Sequence, residues 1–259
     1  MMLKYSMVGV AILGCLTSAF ARAEVATQKI EYKLGDAVME GYLAYDKSVA
    51  GPRPAVLVVP DWMGLRALFE QEAEKLAGMG YVVFVADVYG KGVRPSTPEE
   101  AGKQAGAYKK DRPTFRARLN AALDVLKQQS QTDAKKIAAI GYCFGGTGVL
   151  ELARSGADIS GVVTFHGGLD SPAPADGKNI KCKVLVLHGA DDPTMTPEAI
   201  LAFQKEMRDA NVDWRMMYYG GAVHSFTNPE ANQAASKYNE KADKRSWEDM
   251  KIFFGEIFK

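Results

Sequence analysis

Five continuous apolar runs, rich in valine and isoleucine, recur along the chain. They cover residues 55–59, 81–86, 137–140, 161–165 and 184–187. A strand has this composition when both of its faces are buried, as in a parallel sheet that helices cover on each side. Two earlier segments, residues 29–34 and 38–45, alternate between apolar and polar side chains, which is typical of edge strands with one exposed face. The pattern therefore predicts a mostly parallel central sheet with an antiparallel N-terminal edge.

Segments with a helical spacing of apolar residues separate these runs. They cover residues 65–79, 115–129, 146–154, 197–211 and 231–258. Strands that alternate with helices are the signature of an α/β fold, in which right-handed crossovers place helices on both faces of the sheet. Residues 91–113 mix proline, glycine and charge, and they predict a loop and a short helix that cap the functional site.

The N-terminus has the pattern of a secretory signal. Lys4 precedes an apolar stretch over residues 7–16, and small residues lead up to Ala23. These features predict a cleavable signal peptide over residues 1–23, with cleavage after Ala23 and a periplasmic or secreted product. The apolar stretch is shorter than the roughly 20 residues that a bilayer span requires, which argues against a retained anchor. A lipoprotein signal ending at Cys15 is the alternative, and the bulky leucine two positions before it speaks against this.

The remaining residues, 24–259, suit a single domain. The chain is 47% hydrophobic, and α/β folds of about 250 residues commonly form one domain. The formal net charge is +1, and it falls to −1 without the signal, which carries two basic residues. This balance predicts neither a nucleic-acid nor a membrane partner, and we expect a monomer that acts on a small molecule. No metal-ligand spacing and no phosphate-binding loop occurs, so the sequence predicts neither a metal nor a cofactor.

Residues 141–146 (GYCFGG) are the first candidate for chemistry. They connect the strand predicted at 136–140 to a helix, which is the arrangement of the nucleophile elbow, a strained turn that glycines make possible. Cys143 takes the place that serine usually occupies. The turn would hold the thiol above the carboxyl end of the sheet, where the positive end of the next helix favours a thiolate. The alternative is a buried structural cysteine.

Residues 189–192 (GADD) end the last of the buried strands. An acid at the tip of a late strand, between nucleophile and base in chain order, orients the histidine in α/β enzymes of this kind. The usual spacing Gly-x-x-Asp selects Asp192 and leaves Asp191 as a turn residue. The alternative is that both aspartates only make turn bonds.

One of the three histidines is the candidate base. His224 lies in the loop of residues 220–226, after a strand predicted at 214–219, and from there it can reach Cys143. His166 and His188 lie at the end of a strand and within one, where a structural role is the simplest interpretation. For His224 the alternative is an ordinary position in a surface loop.

Two backbone N–H groups are needed to hold a developing oxyanion. Phe144, directly after the nucleophile, is the candidate for one, and Trp62, in the loop after the first parallel strand, for the other. Asp61 lies at the same strand tip. It either approaches Cys143 or caps the helix that begins near Leu65.

Together these motifs resemble the dienelactone hydrolase family of the α/β-hydrolases. The resemblance covers most of the chain and rests on residues 87–89 (DVY), 141–146 (GYCFGG), 189–192 (GADD) and 224–226 (HSF). It implies a triad of Cys143, His224 and Asp192, an acyl-enzyme at the thiol, and hydrolysis of that intermediate by water. It also implies that Asp61, where the family has a glutamate, tunes the resting thiol.

The expected substrate contacts differ from those of the family. Members that hydrolyse dienelactone hold its carboxylate with two arginines, and the corresponding places here hold Lys91 and Asn228. Lysine lacks the planar fork of arginine, and asparagine lacks the charge. Tyr89 and Phe226, with the two aromatic oxyanion-hole candidates, either make the pocket partly aromatic or fill the core.

The sequence thus predicts an ester or lactone hydrolase that needs no cofactor. Acyl or thioester transfer by the same triad is one alternative, because only the acceptor differs. A weakly catalytic periplasmic thiol protein that binds small electrophiles is the other. Cys182 is a possible disulfide partner for Cys143 in that case. It lies seven residues from the strand tip, more than about 20 Å, which argues against such a bond.

Overall fold

The computed structural model describes residues 23–259, and an eight-stranded sheet forms its centre. The strands are β1 (Val25–Leu34), β2 (Ala37–Asp46), β3 (Arg53–Val59), β4 (Val82–Val85), β5 (Thr132–Tyr142), β6 (Gly161–Phe165), β7 (Lys183–Gly189) and β8 (Trp214–Tyr219). Their order is β1-β2-β4-β3-β5-β6-β7-β8. Strands β3 to β8 run parallel, whereas β1 and β2 are antiparallel to their neighbours. The predicted α/β-hydrolase fold is confirmed.

Within the described residues, six α-helices cover both faces of this sheet. They are α1 (Ala67–Gly78), α2 (Pro98–Lys110), α3 (Arg112–Lys127), α4 (Phe144–Arg154), α5 (Pro197–Asp209) and α6 (Glu240–Ile257). Buried residues of α3, α4 and α5 form one hydrophobic cluster, and those of α1 and α6 form a second cluster. Within β3, Leu57 belongs to the first cluster and Val56 and Val58 to the second. The apolar runs are continuous because successive side chains enter two different cores.

Residues 91–113 contain more helix than the sequence predicted. Helix α2 is 13 residues long, and α3 begins one residue after Asp111. The Thr97 side chain accepts a hydrogen bond from the amide of Glu100, and Pro98 follows it at the first helical position. A threonine cap before proline is a strong start signal for a helix. The mixture of proline, glycine and charged residues in this segment masked the start of the helix in the sequence.

The prediction of one helix over residues 231–258 is wrong in its first part. A small hairpin of β9 (Asn232–Gln233) and β10 (Ser236–Lys237) forms there instead. Helix α6 begins only at Glu240, because the Asn239 side chain caps it by accepting a hydrogen bond from the Ala242 amide. The hairpin leaves residues 225–236 free to form one wall of the functional site.

The predicted signal peptide lies outside the described residues, apart from Ala23. From Ala23 to the C-terminus, no helix is long and apolar enough to span a bilayer. The same part of the chain contains no cluster of histidine, cysteine and acidic side chains that could hold a metal ion.

Candidate active site

The candidate site lies at the carboxyl edge of the parallel strands. Asp61 follows β3, Cys143 follows β5, His166 follows β6, Asp192 follows β7 and His224 follows β8. These five strands are neighbours in the sheet. Because parallel strands all end at the same edge, residues far apart in the chain meet there.

Cys143 occupies a strained turn between β5 and α4. Its backbone has φ 53° and ψ −113°, in the region that side chains rarely adopt. Glycine is required on both sides. A Cβ atom on Gly141 would lie 2.0 Å from the Gly145 carbonyl oxygen, and one on Gly145 would lie 2.1 Å from the Val59 oxygen. The turn therefore presses α4 against β3 and β5 and holds the thiol at the sheet edge.

The structure brings Cys143, His224 and Asp192 into one hydrogen-bonded chain. His224 Nε2 lies 3.0 Å from Cys143 Sγ, and His224 Nδ1 lies 2.9 Å from Asp192 Oδ2. The second carboxylate oxygen of Asp192 accepts hydrogen bonds from the amide and hydroxyl of Thr194, at 2.8 and 2.7 Å. Asp192 is buried, whereas Asp191 is exposed. Only one of the two aspartates is thus placed to orient the imidazole.

The surroundings of His224 favour its protonated form. Burial opposes the charge, but the hydrogen bonds to Asp192 and Cys143 outweigh it and raise the pKa of His224 to about 10. Burial would likewise raise the pKa of Asp192, yet the hydrogen bonds from His224 and Thr194 lower it. The protonated imidazole is therefore the favoured form of His224 at neutral pH.

The other two histidines differ in their relation to the site. His188 is buried within β7 and packs its edge against Tyr218. His166 lies beside the site: its ring centroid is 5.3 Å from that of His224, and its Nε2 is 2.8 Å from Thr227 Oγ1. Burial lowers the pKa of His166 well below its usual value, so the ring is neutral. His166 directly follows β6, which pairs with β5. This position at a strand end was the sequence feature that could have indicated a place beside Cys143.

The two candidate oxyanion amides belong to residues at the site, since Phe144 directly follows Cys143 and Trp62 lines the same cavity as Cys143. Phe144 is the first residue of α4, and Trp62 lies in the loop after β3. Within the described part of the chain, neither backbone N–H has a hydrogen-bond acceptor. Tyr89 supports both residues, because its hydroxyl donates to the Trp62 carbonyl at 2.8 Å and its ring packs on Phe144.

Asp61 is held by its own loop. Its Oδ2 lies 2.7 Å from Arg66 Nη2, and its Oδ1 accepts a hydrogen bond from the Met63 amide. The Asp61 side chain does not cap α1, whose N-cap is Arg66. Burial raises the pKa of Asp61, and Arg66 partly opposes this. Asp61 lines the same cavity as Cys143.

A cavity of about 430 Å³ opens beside Cys143. Its walls come from the loop after β3, the first turns of α1, the end of β5, His166 and the segment 225–236. Asn228 lies on this wall. The residues 91–113 do not line the cavity, although Gly102 of α2 approaches the Trp62 ring. Residues of the segment 225–236, and not residues 91–113, therefore form this wall of the cavity.

Three pocket candidates do not line this cavity. Lys91 is an exposed residue that forms an ion pair with Glu31 of β1. Phe226 is fully buried and packs between His166 and other aromatic rings of the core. Tyr89 is also buried, beneath Trp62 and Phe144. These residues lie near the ends of predicted strands, which suggested a place in the pocket. The sequence does not determine the direction in which their side chains point.

Comparisons with known proteins bear on this geometry. Residues 39–258 match the sequence model of the dienelactone hydrolase family. The chain belongs to this family. A probable 2-oxo-3-(5-oxofuran-2-ylidene)propanoate lactonase from Bradyrhizobium is 27% identical over 187 residues, 69% of this chain and 75% of the relative. The protein usf of Aquifex pyrophilus is 26% identical over 88% of this chain and 98% of its own length.

Solved structures of the family superpose closely on the chain. A dienelactone hydrolase-like promiscuous phosphotriesterase from metagenomic libraries has a TM-score of 0.86 and is 38% identical, covering 91% of this chain and 99% of its own. The dienelactone hydrolase of Anabaena variabilis has a TM-score of 0.67 at 19% identity, which shows the shared fold. As a member of this family, the chain is a hydrolase that acts on esters or lactones.

Proposed function

We propose that the chain hydrolyses carboxylic esters or lactones through a covalent acyl-enzyme at Cys143. The observation that carries this proposal is the unbroken contact from Cys143 Sγ to His224 and on to Asp192. A nucleophile, a base and a residue that orients the base, each within hydrogen-bond reach, make up a catalytic triad. The neighbouring cavity gives an ester access to the thiol.

The reaction has two halves. Cys143 Sγ, as a thiolate beside the His224 imidazolium, attacks the carbonyl carbon, and the amides of Phe144 and Trp62 hold the oxyanion. The ester C–O bond breaks, and His224 Nε2 gives its proton to the leaving oxygen. Water then attacks the thioester while His224 accepts a proton, and the C–S bond breaks to release the acid and the thiolate. Asp192 orients the His224 ring throughout and fixes its tautomer when the ring is neutral.

A carbamate that transfers a slowly hydrolysed group tests the covalent step. We expect p-nitrophenyl dimethylcarbamate to release one equivalent of p-nitrophenolate per chain and to stop, because a carbamoyl thioester resists water. Peptide mapping by mass spectrometry should find the dimethylcarbamoyl group on Cys143 and not on Cys182, whose pKa burial raises to about 12. Steady hydrolysis of p-nitrophenyl acetate by a protein that never acquires this label would contradict the proposal.

The two adjacent aspartates provide a matched test of the orienting residue. Replacing Asp192 with alanine is expected to lower kcat/KM for p-nitrophenyl acetate about 10²-fold, because the imidazole loses the acceptor that fixes its orientation. The Asp191→Ala variant removes an exposed carboxylate one position away and should stay close to the unmodified protein. Equal losses in both variants would show that Asp192 has no special role.

A further inference from the structure

The ionisable groups around the cavity leave it with an excess of negative charge. Among the described residues that line it, Asp61, Glu72 and Glu230 are acidic and Arg66 is basic. His224, whose pKa is raised, is not one of the lining residues and contacts the Cys143 sulfur. The Arg66 guanidinium lies against Asp61 at 2.7 Å, so these two charges cancel. Within the described residues, neither Glu72 nor Glu230 forms a salt bridge. His166 is neutral because burial lowers its pKa. Neither Glu72 nor Glu230 is therefore neutralised by an ion pair, although Lys75 of the same helix is near enough to Glu72 to lower its pKa.

Aromatic residues line the same cavity. Trp62 is 37% exposed and Tyr142 lies deeper. The Tyr142 hydroxyl and Glu72 Oε2 are both buried, and neither has a hydrogen-bond partner among the described residues. A buried carboxylate oxygen of Glu72 without a partner favours positive charge nearby. Aromatic faces combined with carboxylates are the usual means by which proteins bind ammonium groups.

Among the described residues around the cavity, a carboxylate on the substrate would find no equivalent partner. Arg66 is already neutralised by Asp61, and Lys91 is directed towards Glu31 on β1. Asn228, which lines the wall, carries no charge. An anionic group entering the cavity would instead meet Glu72 and Glu230, and like charges repel.

We propose that this cavity, in the ester hydrolase described above, selects substrates that carry a cationic ammonium group and disfavours those that carry a carboxylate. The carboxylates of Glu72 and Glu230 attract the cation, and the exposed ring of Trp62 lies in the same cavity wall. The inference rests on the proposed hydrolase function, and it specifies the charge class of the substrate.

Three p-nitrophenyl esters of equal length separate the effect of charge from that of shape. Their acyl chains share three methylene groups and end in trimethylammonium, tert-butyl or carboxylate, and the first two ends have the same shape. We expect kcat/KM to fall from the cationic to the neutral and then to the anionic ester, by roughly tenfold at each step. The preference should weaken at high ionic strength. Equal rates for the cationic and neutral esters, or a preference for the anionic one, would overturn the inference.

Isosteric variants test the named carboxylates. Glu72→Gln and Glu230→Gln should each lower the ratio of cationic to neutral kcat/KM several-fold, and the ratio is unaffected by changes common to both esters. Glu70→Gln removes the same charge from α1 but outside the cavity wall, so it should leave the ratio unchanged. If all three variants keep the ratio of the unmodified protein, the assignment to these carboxylates is wrong.

The pH dependence of the same ratio gives a separate readout. Burial raises the pKa of Glu72 to about 6; Lys75 on its own helix lowers it and Asp243 of α6 raises it. The group is neutral below this pH and charged above it, so the ratio should rise as pH increases through about 6. Changes in the ionisation of His224 cancel because they affect both esters alike. A ratio that stays flat across this range would argue against Glu72.

A binding measurement distinguishes failure of this inference from failure of the proposed function. Calorimetry on the Cys143→Ala variant, with non-hydrolysed amide analogues of the three esters, reports binding without chemistry. Tighter binding of the cationic amide with no esterase activity in the unmodified protein would retain the charge preference and refute the hydrolase. Esterase activity together with equal binding of all three amides would support the hydrolase and refute the charge preference.

Discussion

Replacing Cys143 with alanine is expected to lower kcat for p-nitrophenyl acetate and for a simple thioester by roughly 10⁴–10⁶-fold. Without the sulfur atom, no acyl-enzyme can form, and His224 and Asp192 have no nucleophile to activate. The residual rate would come from the oxyanion amides and from substrate binding alone. Initial rates with both substrates, measured at high protein concentration, would determine the size of the loss.

The second cysteine is the matched control. Cys182 is buried just before β7, at the end of that strand opposite Asp192, and burial raises the pKa of its thiol to about 12. The Cys182→Ala variant should therefore keep nearly full activity. If Cys143→Ala retained more than about a tenth of the rate, well above the residual level of disabled triads, the thiol would not be the nucleophile. The hydrolysis would then have to proceed by direct attack of water.

The sheet could be predicted because strands that are buried on both faces appear in the sequence as continuous apolar runs. The run at 55–59 lies within β3 (Arg53–Val59), and the run at 161–165 coincides with β6 (Gly161–Phe165). The segment before α6 could not be predicted, because its hairpin depends on hydrogen bonds to the loop that precedes it. The Lys237 amide, for example, donates to the carbonyl of His224. Periodicity detects which face of an element is apolar, and it does not detect such contacts.

The candidate site shows the same division. Residues at strand tips, such as Asp192 and His224, are placed by topology, since each parallel strand ends at the same edge. The directions of side chains farther from the strand ends depend on packing and on ion pairs. Lys91 follows β4 in the chain, yet an ion pair turns it towards Glu31. The sequence did not predict a role for Glu72 of α1, because a glutamate in a helix is ordinarily solvated. Only the fold shows that it lines the cavity.

A buried ionic cluster connects the helix after the nucleophile to the helix after the acid. Arg154, the last residue of α4, is fully buried and forms two parallel hydrogen bonds of 2.8 Å to Glu206 of α5. It also donates to Glu151 at 3.0 Å, and Arg116 of α3 binds the other oxygen of Glu151. The cluster therefore fixes α4, which presents Cys143, relative to α5, which follows the Asp192 loop.

Replacing Arg154 with methionine is expected to lower the free energy of unfolding by about 3–5 kcal/mol. The Glu206 carboxylate would remain buried without its partner, whereas Glu151 would keep Arg116. For a chain of this size the melting temperature should fall by roughly 6–20 °C. Calorimetry and urea unfolding would measure both changes.

The neighbouring surface pair on α5 provides the control for this prediction. Lys205 and Asp209 are an ion pair that is 71% and 60% exposed, and Lys205→Met should change stability by less than about 1 kcal/mol. The double variant Arg154→Met, Glu206→Leu removes both buried charges, so it should be more stable than Arg154→Met alone. If the double variant lost as much stability as the two single variants together, packing rather than an unpaired charge would be the cause. In that case the cluster would hold α4 and α5 together by shape, and its charges would contribute little.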